Sequence, residues 1–283
     1  MPARTKPLKR VRVVTKKPTR GDVSGDNASR LKAIVGLLED RLGVPMFDGP
    51  RDGLRVLVLT ILSQNTTDLS ALKAYIRLCE TFPRKENAKL FRNEKLIPRL
   101  PDGSVDPVAI RLSQAADAFF EPDWARIHTC DEKKLQDIIR PAGLPNSKGP
   151  AIQRVLGWVK EQVGEYSLEK ALAGKTPTQA AEAMSSLKGV GAKTAAVTLI
   201  EAMGADLCPV DTHVHRIVNR LGLVSTGDNR EKSYRLLQPM LPEGKGYSLH
   251  HNLLTFGRTV CTAKKPKCGE CFLANICPSA GKI

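Results

Sequence analysis

The sequence predicts an all-α protein, and three observations carry that prediction. Apolar residues recur every three or four positions through most of the chain from Ser29 onward. Helix-start signals, such as Thr176 followed by Pro177, stand where those stripes begin. No alternating apolar and polar pattern occurs outside the RVRVV of residues 10–14, so strands have no periodic support.

Residues 1–27 carry Arg4, Lys6, Lys9, Arg10, Arg12, Lys16, Lys17 and Arg20 among prolines and small polar residues, without apolar periodicity. A disordered basic arm is expected there, either a solvated tail or a source of sequence-blind attraction to phosphate. Leu31, Ile34, Val35, Leu38 and Leu42 then mark a first helix, with Ser29 placed to cap it. LRVLVLTILS, residues 54–63, is almost continuously apolar, so periodicity cannot separate strand from helix; its helical neighbours favour helix. QNTTD breaks the run, and Leu69, Leu72, Tyr75, Ile76 and Cys79 resume a helical stripe.

Residues 93–128 hold Pro98, Pro101, Gly103, Pro107 and Pro122 around VAIRLSQAADAFF, which predicts an irregular connection with one helix inside it. DEKKLQDII is the next helix. After the turn-like GLPNSKG, Ile152, Val155, Leu156, Val159 and Val163 mark another. Thr176 caps a segment ending at Leu187, and further helices fit 192–203, 212–221, 230–240 and 247–259.

The chain has 283 residues, enough for one large domain or two ordinary ones with a real core. Its formal charge of +15 and pI near 9.6 point to an anionic partner, with nucleic acid the foremost class. No stretch reaches the ~20 apolar residues that span a bilayer, and the N-terminus lacks the apolar centre of a secretory signal. An intracellular location, no membrane partner and a monomer are the expectations. Seven cysteines, four of them within residues 261–277, suit a metal or cluster site better than a disulfide framework. Cys79, Cys130 and Cys208 stand apart and are expected to be buried.

Candidate chemistry gathers in LKGVGAKT, residues 187–194. Two helices joined by KGVG need positions that glycine fills best, and with no bulky side chains at Gly189 and Gly191 the amides of 189–193 can face an anion. A duplex phosphate suits so basic a chain, although the same glycines serve an ordinary helical hairpin. Lys193 stands near a helix N-terminus, where the dipole and partial burial would both favour its neutral, nucleophilic form. Neutral amines attack electron-poor carbon such as the C1′ of a sugar whose base is leaving. A carboxylate that stabilises charge on that sugar or moves protons is also needed, and Asp211 is the candidate. A phosphate-pairing lysine and a helix-capping aspartate are the structural alternatives. In DTHVHR, His213 and His215 fall on different helix faces and make a poor metal pair, as do His250 and His251.

Cys261, Cys268, Cys271 and Cys277 are spaced C-x6-C-x2-C-x5-C. Structural zinc usually takes two close cysteine pairs, and only one is present, so a [4Fe-4S] cluster fits better, with zinc as the alternative. Lys264, Lys265 and Lys267 lie between the first two ligands and would form a phosphate-binding platform.

LKGVGAKTA, then VDTH, then the four-cysteine spacing resemble, in that order, the endonuclease III family of DNA glycosylases within the helix-hairpin-helix superfamily. The resemblance runs from about residue 29 to the C-terminus. It implies two all-α lobes with DNA in the cleft between them. A six-helix barrel would span 47–205, with the helix-hairpin-helix near 180–203. An iron-sulfur cluster domain would be formed by 28–46 and 206–283. It implies Lys193 as Schiff-base nucleophile, Asp211 as catalytic carboxylate, Gly189 and Gly191 as the phosphate-gripping hairpin, and the four cysteines as cluster ligands. ILSQNTTD resembles the loop that fills the space of an extruded base, where the family's usual glutamine is matched by Asn65 with Gln64 beside it. GLPNSK resembles the loop that wedges an apolar residue into the base stack, which makes Leu144 the candidate and Pro145 an unusual neighbour. The related adenine-mismatch enzymes lack the lysine and carry a glutamate in the segment matching ILSQNTTD, which has none here. Oxidised-guanine enzymes normally lack the cluster. Lysine, aspartate and cluster together favour removal of oxidised pyrimidines from damaged double-stranded DNA, followed by strand cleavage. The alternatives are a mismatch-thymine or oxidised-guanine glycosylase, and a non-catalytic DNA-binding iron-sulfur module.

Overall fold

The computed structural model describes residues 26–84 and 121–283, and the basic arm and the VAIRLSQAADAFF helix lie outside them. Among the described residues every extended element is helical, apart from an isolated antiparallel bridge between Pro83 and Pro122. The helices, numbered over the described residues, are α1 (Asn27–Leu42), α2 (Gly53–Ser63), α3 (Asp68–Thr81), α4 (Trp124–Thr129), α5 (Glu132–Ile139) and α6 (Pro145–Val163). They continue as α7 (Leu168–Ala171), α8 (Pro177–Ser185), α9 (Ala192–Met203), α10 (Thr212–Arg220), α11 (Arg230–Leu237) and α12 (Gly246–Thr259).

Several boundaries differ from the sequence reading for identifiable reasons. Asp26, not Ser29, caps α1 by accepting from the Ser29 amide, so the helix already includes Asn27, which the sequence reading placed before it. GLPNSKG is no preamble to α6: Pro145 is its first residue, where a fixed φ and a missing N–H cost nothing. Pro150 lies inside the same helix and removes one backbone bond. Trp124–Thr129, read as irregular, forms α4 under an Asp123 cap, and the short α7 had no periodic signal. Thr176 caps α8 through a reciprocal capping box with Gln179, as the Thr-Pro signal predicts. Cys79 and Cys208 are buried, whereas Cys130 is only half-buried. Leu69, assigned to the α3 stripe, is exposed.

Buried side chains fall into two clusters. The larger joins α2 to α9 around Leu57, Ile61, Ile152, Leu156 and Leu199. α2 packs against α3, α6 and α9, and α8 packs against α9. The smaller joins α1, α10 and α12 around Leu31, Leu38, Ile217 and Phe256. Tyr234 packs against both clusters. The segment ahead of α2 is tied to α9, where Arg51 donates its amide to Ala202 O at 2.9 Å and its guanidinium to Glu201 at 3.3 Å. Phe47 of the same segment covers Gly204, whose φ of +62° and absent Cβ leave room for the ring.

The α8–α9 hairpin depends on one glycine. Gly189 has φ +103°, and a Cβ there would lie 2.5 Å from Ala151 Cβ on α6. Gly191 has an ordinary φ of −81° and open space where a Cβ would stand. The two glycines therefore serve different ends. Gly189→Ala should lower unfolding stability by about 3 kcal/mol, combining backbone strain with overpacking. Gly191→Ala should cost less than about 1 kcal/mol, as a change of N-cap. Urea denaturation of both variants checks this, and equal losses would remove the distinction.

Candidate active site

Helix α9 begins without a side-chain cap: Gly191 is its N-cap and offers no acceptor. Among the described residues no hydrogen bond answers the partial positive charge of the first-turn amides, Ala192 to Thr194. Lys193 stands in that first turn and is exposed, so the partial burial anticipated from sequence is absent. Among the described residues no hydrogen bond or ion pair engages it, and none links it to Asp211.

Asp211 takes the capping role that was its structural alternative. Its Oδ1 accepts from the amides of His213 and Val214, both at 2.8 Å, while Oδ2 has no hydrogen bond among the described residues. The carboxylate is half-buried and has one oxygen committed to the helix and one available. The strand-like segment leading to it is held from two sides. The Gln238 side chain accepts from Cys208 N at 3.1 Å and donates to Cys208 O at 2.8 Å. His250, 4% exposed, donates from Nδ1 to Pro209 O at 3.0 Å. Burial pushes the His250 imidazole down to about 4, so it stays neutral as a spacer. His213 and His215 diverge as expected: His213 meets the Arg216 guanidinium, and His215 bonds Ser233 Oγ at 2.8 Å.

Two further loops approach the hairpin. Gln64 does not point freely outward; its Nε2 donates to Gly189 O at 3.2 Å and Thr194 Oγ1 at 3.1 Å, tying the end of α2 to the hairpin. Asn65 is exposed with φ +53°, and Leu144 is 56% exposed with φ +51°. These are the two non-glycine residues with positive φ among the described residues, a conformation disfavoured for a leucine above all. Pro145, unusual beside Leu144 by sequence, is explained as the first residue of α6. Arg154 braces the hairpin by donating to Lys188 O at 3.0 Å.

Cys261, Cys268, Cys271 and Cys277 are free thiols lining one pocket with Ile217, Phe256 and Leu273. Burial and the neighbouring sulfurs both push the Cys271 and Cys277 thiols up, a strain that a bound cation would relieve. Arg220 reaches Cys261 Sγ at 3.4 Å and Thr262 O at 2.8 Å, and Arg216 donates to Cys261 O at 2.8 Å. Both arginines stand on α10, so the helix that Asp211 caps also fixes the cysteine loop. Lys264, Lys265 and Lys267 are all exposed on it.

Residues 58–243 match the family of HhH-GPD superfamily base excision DNA repair proteins, and 261–277 match the iron-sulfur binding domain of endonuclease III. The chain is 30% identical over 226 residues to endonuclease III of Thermotoga maritima, covering 80% of this chain and 83% of that one. It is 37% identical over 164 residues to the chloroplastic endonuclease III homolog 2 of Arabidopsis thaliana, spanning 55% of this chain but only 40% of the plant protein. In fold it is similar to a non-covalent endonuclease III–DNA complex, with a TM-score of 0.62, 21% identity, and coverage of 90% and 97%. No described helix is long and apolar enough to cross a membrane.

The cap geometry of Asp211 and its charge are separable by substitution. Asn caps helices as well as Asp, so Asp211→Asn should melt within about 0.5 kcal/mol of the native protein, whereas Asp211→Ala should lose about 1 kcal/mol. If the Asn variant were destabilised as much as Ala, the charge rather than the cap geometry would be holding α10.

Proposed function

The chain belongs to the endonuclease III family of the HhH-GPD superfamily, and on that footing we propose that it is a bifunctional DNA glycosylase and abasic-site lyase acting on oxidised pyrimidines. One observation carries the reading. An exposed Lys193 opens a helix whose uncapped amides directly follow the glycine turn.

The amides of Gly189, Gly191, Ala192 and Lys193 take a backbone phosphate, that of Val190 being turned inward to Leu187 O at 2.9 Å, and Lys264, Lys265 and Lys267 add contacts along the duplex. Lys193 Nζ bonds to C1′ as the glycosidic bond breaks, and the base leaves with that electron pair and a proton. Oδ2 of Asp211 faces the positive charge developing on the sugar, while Oδ1 stays fixed by α10. The sugar ring then opens to an imine on Lys193. Loss of a C2′ proton expels the 3′ phosphate and cuts the strand. Asn65 and Leu144 enter the duplex, the first at the place of the extruded base and the second as a wedge. Cys261, Cys268, Cys271 and Cys277 would hold a [4Fe-4S] cluster, which when bound fixes the loop that carries the three lysines.

A panel of duplexes carrying thymine glycol, mismatched thymine or oxidised guanine tests the assignment. Thymine glycol should be released fastest, and Lys193→Ala should lose strand cleavage by more than ~10³. Binding with no base release from any lesion would leave a DNA-binding module instead.

A further inference from the structure

Lys148 has no part in the chemistry above, yet it is the one charged side chain buried among the described residues, at 2% exposure. Its Nζ donates to Leu62 O and to Ala142 O, each at 2.7 Å. Both carbonyls close helical segments: Leu62 is the penultimate residue of α2, and Ala142 ends a 3-10 turn after α5. Two helix C-terminal ends, each with partial negative charge, therefore converge on one ammonium group. Burial pushes this amine below the ordinary lysine range, and an apolar side chain of the same length would avoid that penalty. What lysine adds is a pair of directed bonds to two separate pieces of chain.

Those two pieces lead to the two strained residues. Just beyond Leu62 the chain turns through Gln64 into Asn65, and just beyond Ala142 it turns into Leu144. A left-handed conformation at a non-glycine residue persists only where its surroundings over-determine it. The Leu144 turn is further held by Ser147, whose hydroxyl and amide both donate to Leu144 O at 3.1 Å.

We propose that Lys148 is a positioning residue that ties the 64–66 turn to the 143–144 turn, so that Asn65 and Leu144 meet the duplex as one rigid pair. This rests on the reading of both turns as duplex-entering. The tie matters for extruding a paired base, and much less where the base is already gone.

The test compares single-turnover base release from a thymine glycol duplex with strand cleavage of the same duplex carrying a preformed abasic site. 2-Aminopurine opposite the lesion reports unstacking. Lys148→Met, which keeps length but no donor, should slow base release by about 10- to 100-fold, the scale of a misplacement near 1 Å. It should abolish the unstacking signal while leaving abasic cleavage nearly unchanged. Lys148→Gln, which retains two amide protons, should recover part of the loss. Equal slowing on both substrates, or unaltered base release, would overturn the proposal. If Lys148→Met does not fold, Asn65→Gly and Leu144→Gly in the native background decide it. A rigid pair makes the double variant little worse than either single one, and independent multiplicative losses would overturn the tie. A native protein that releases no base from any lesion would overturn the glycosylase reading, and this inference with it.

Discussion

The approach of Gly189 to Ala151 is the contact on which the rest of the site depends. No side chain larger than hydrogen fits at residue 189, and its positive φ suits glycine alone. That contact seats the α8–α9 hairpin on α6. The hairpin in turn presents the uncapped end of α9 and Lys193 to solvent. Its carbonyls then organise what surrounds it: Gly189 O receives Gln64 and Lys188 O receives Arg154. Because Leu144 is the N-cap of α6, one close crossing places the first-turn amides of α9, Lys193 and Leu144 in a common frame.

The opposing side is organised around α10. Asp211 starts the helix by accepting two of its amides, and Arg216 and Arg220 extend from it to the cysteine loop. A change in that loop is therefore transmitted to the carboxylate through a single rigid element. Gln238 and His250 hold the approach to Asp211 by side-chain bonds to the backbone of Cys208 and Pro209, and among the described residues Oδ2 of the carboxylate has no hydrogen bond. Lys193 thus stands on the side of the larger core and Asp211 on that of the smaller.

Legibility in the sequence divided along the range of the interactions. Thr176–Pro177, the α9 bounds and the all-α class were readable because caps and apolar stripes act within a few residues. The start of α6 was misplaced because Gly-Leu-Pro-Asn-Ser-Lys-Gly is turn chemistry in composition, and only the backbone shows that Pro145 opens a helix. Asp26 was overlooked as a cap because Ser29 offered the same chemistry nearer the apolar stripe. Lys148 and Gln238 were missed because their partners lie far away in the chain, at Leu62 and Cys208. A lysine in a polar stretch carries no sign that it will be buried. Gln64 was expected to face DNA, and its link to the hairpin could not be read from its neighbours.

The central claim is that the amine of Lys193 forms the covalent bond to the sugar. Borohydride reduction of the protein on a thymine glycol duplex, followed by proteolysis and mass spectrometry of the adduct, locates that bond directly. The expected result is a deoxyribose remnant on the peptide containing Lys193, at Nζ of that residue. An adduct on Lys188, on a lysine of the cysteine loop or on any other amine, with Lys193 unmodified, would contradict the account.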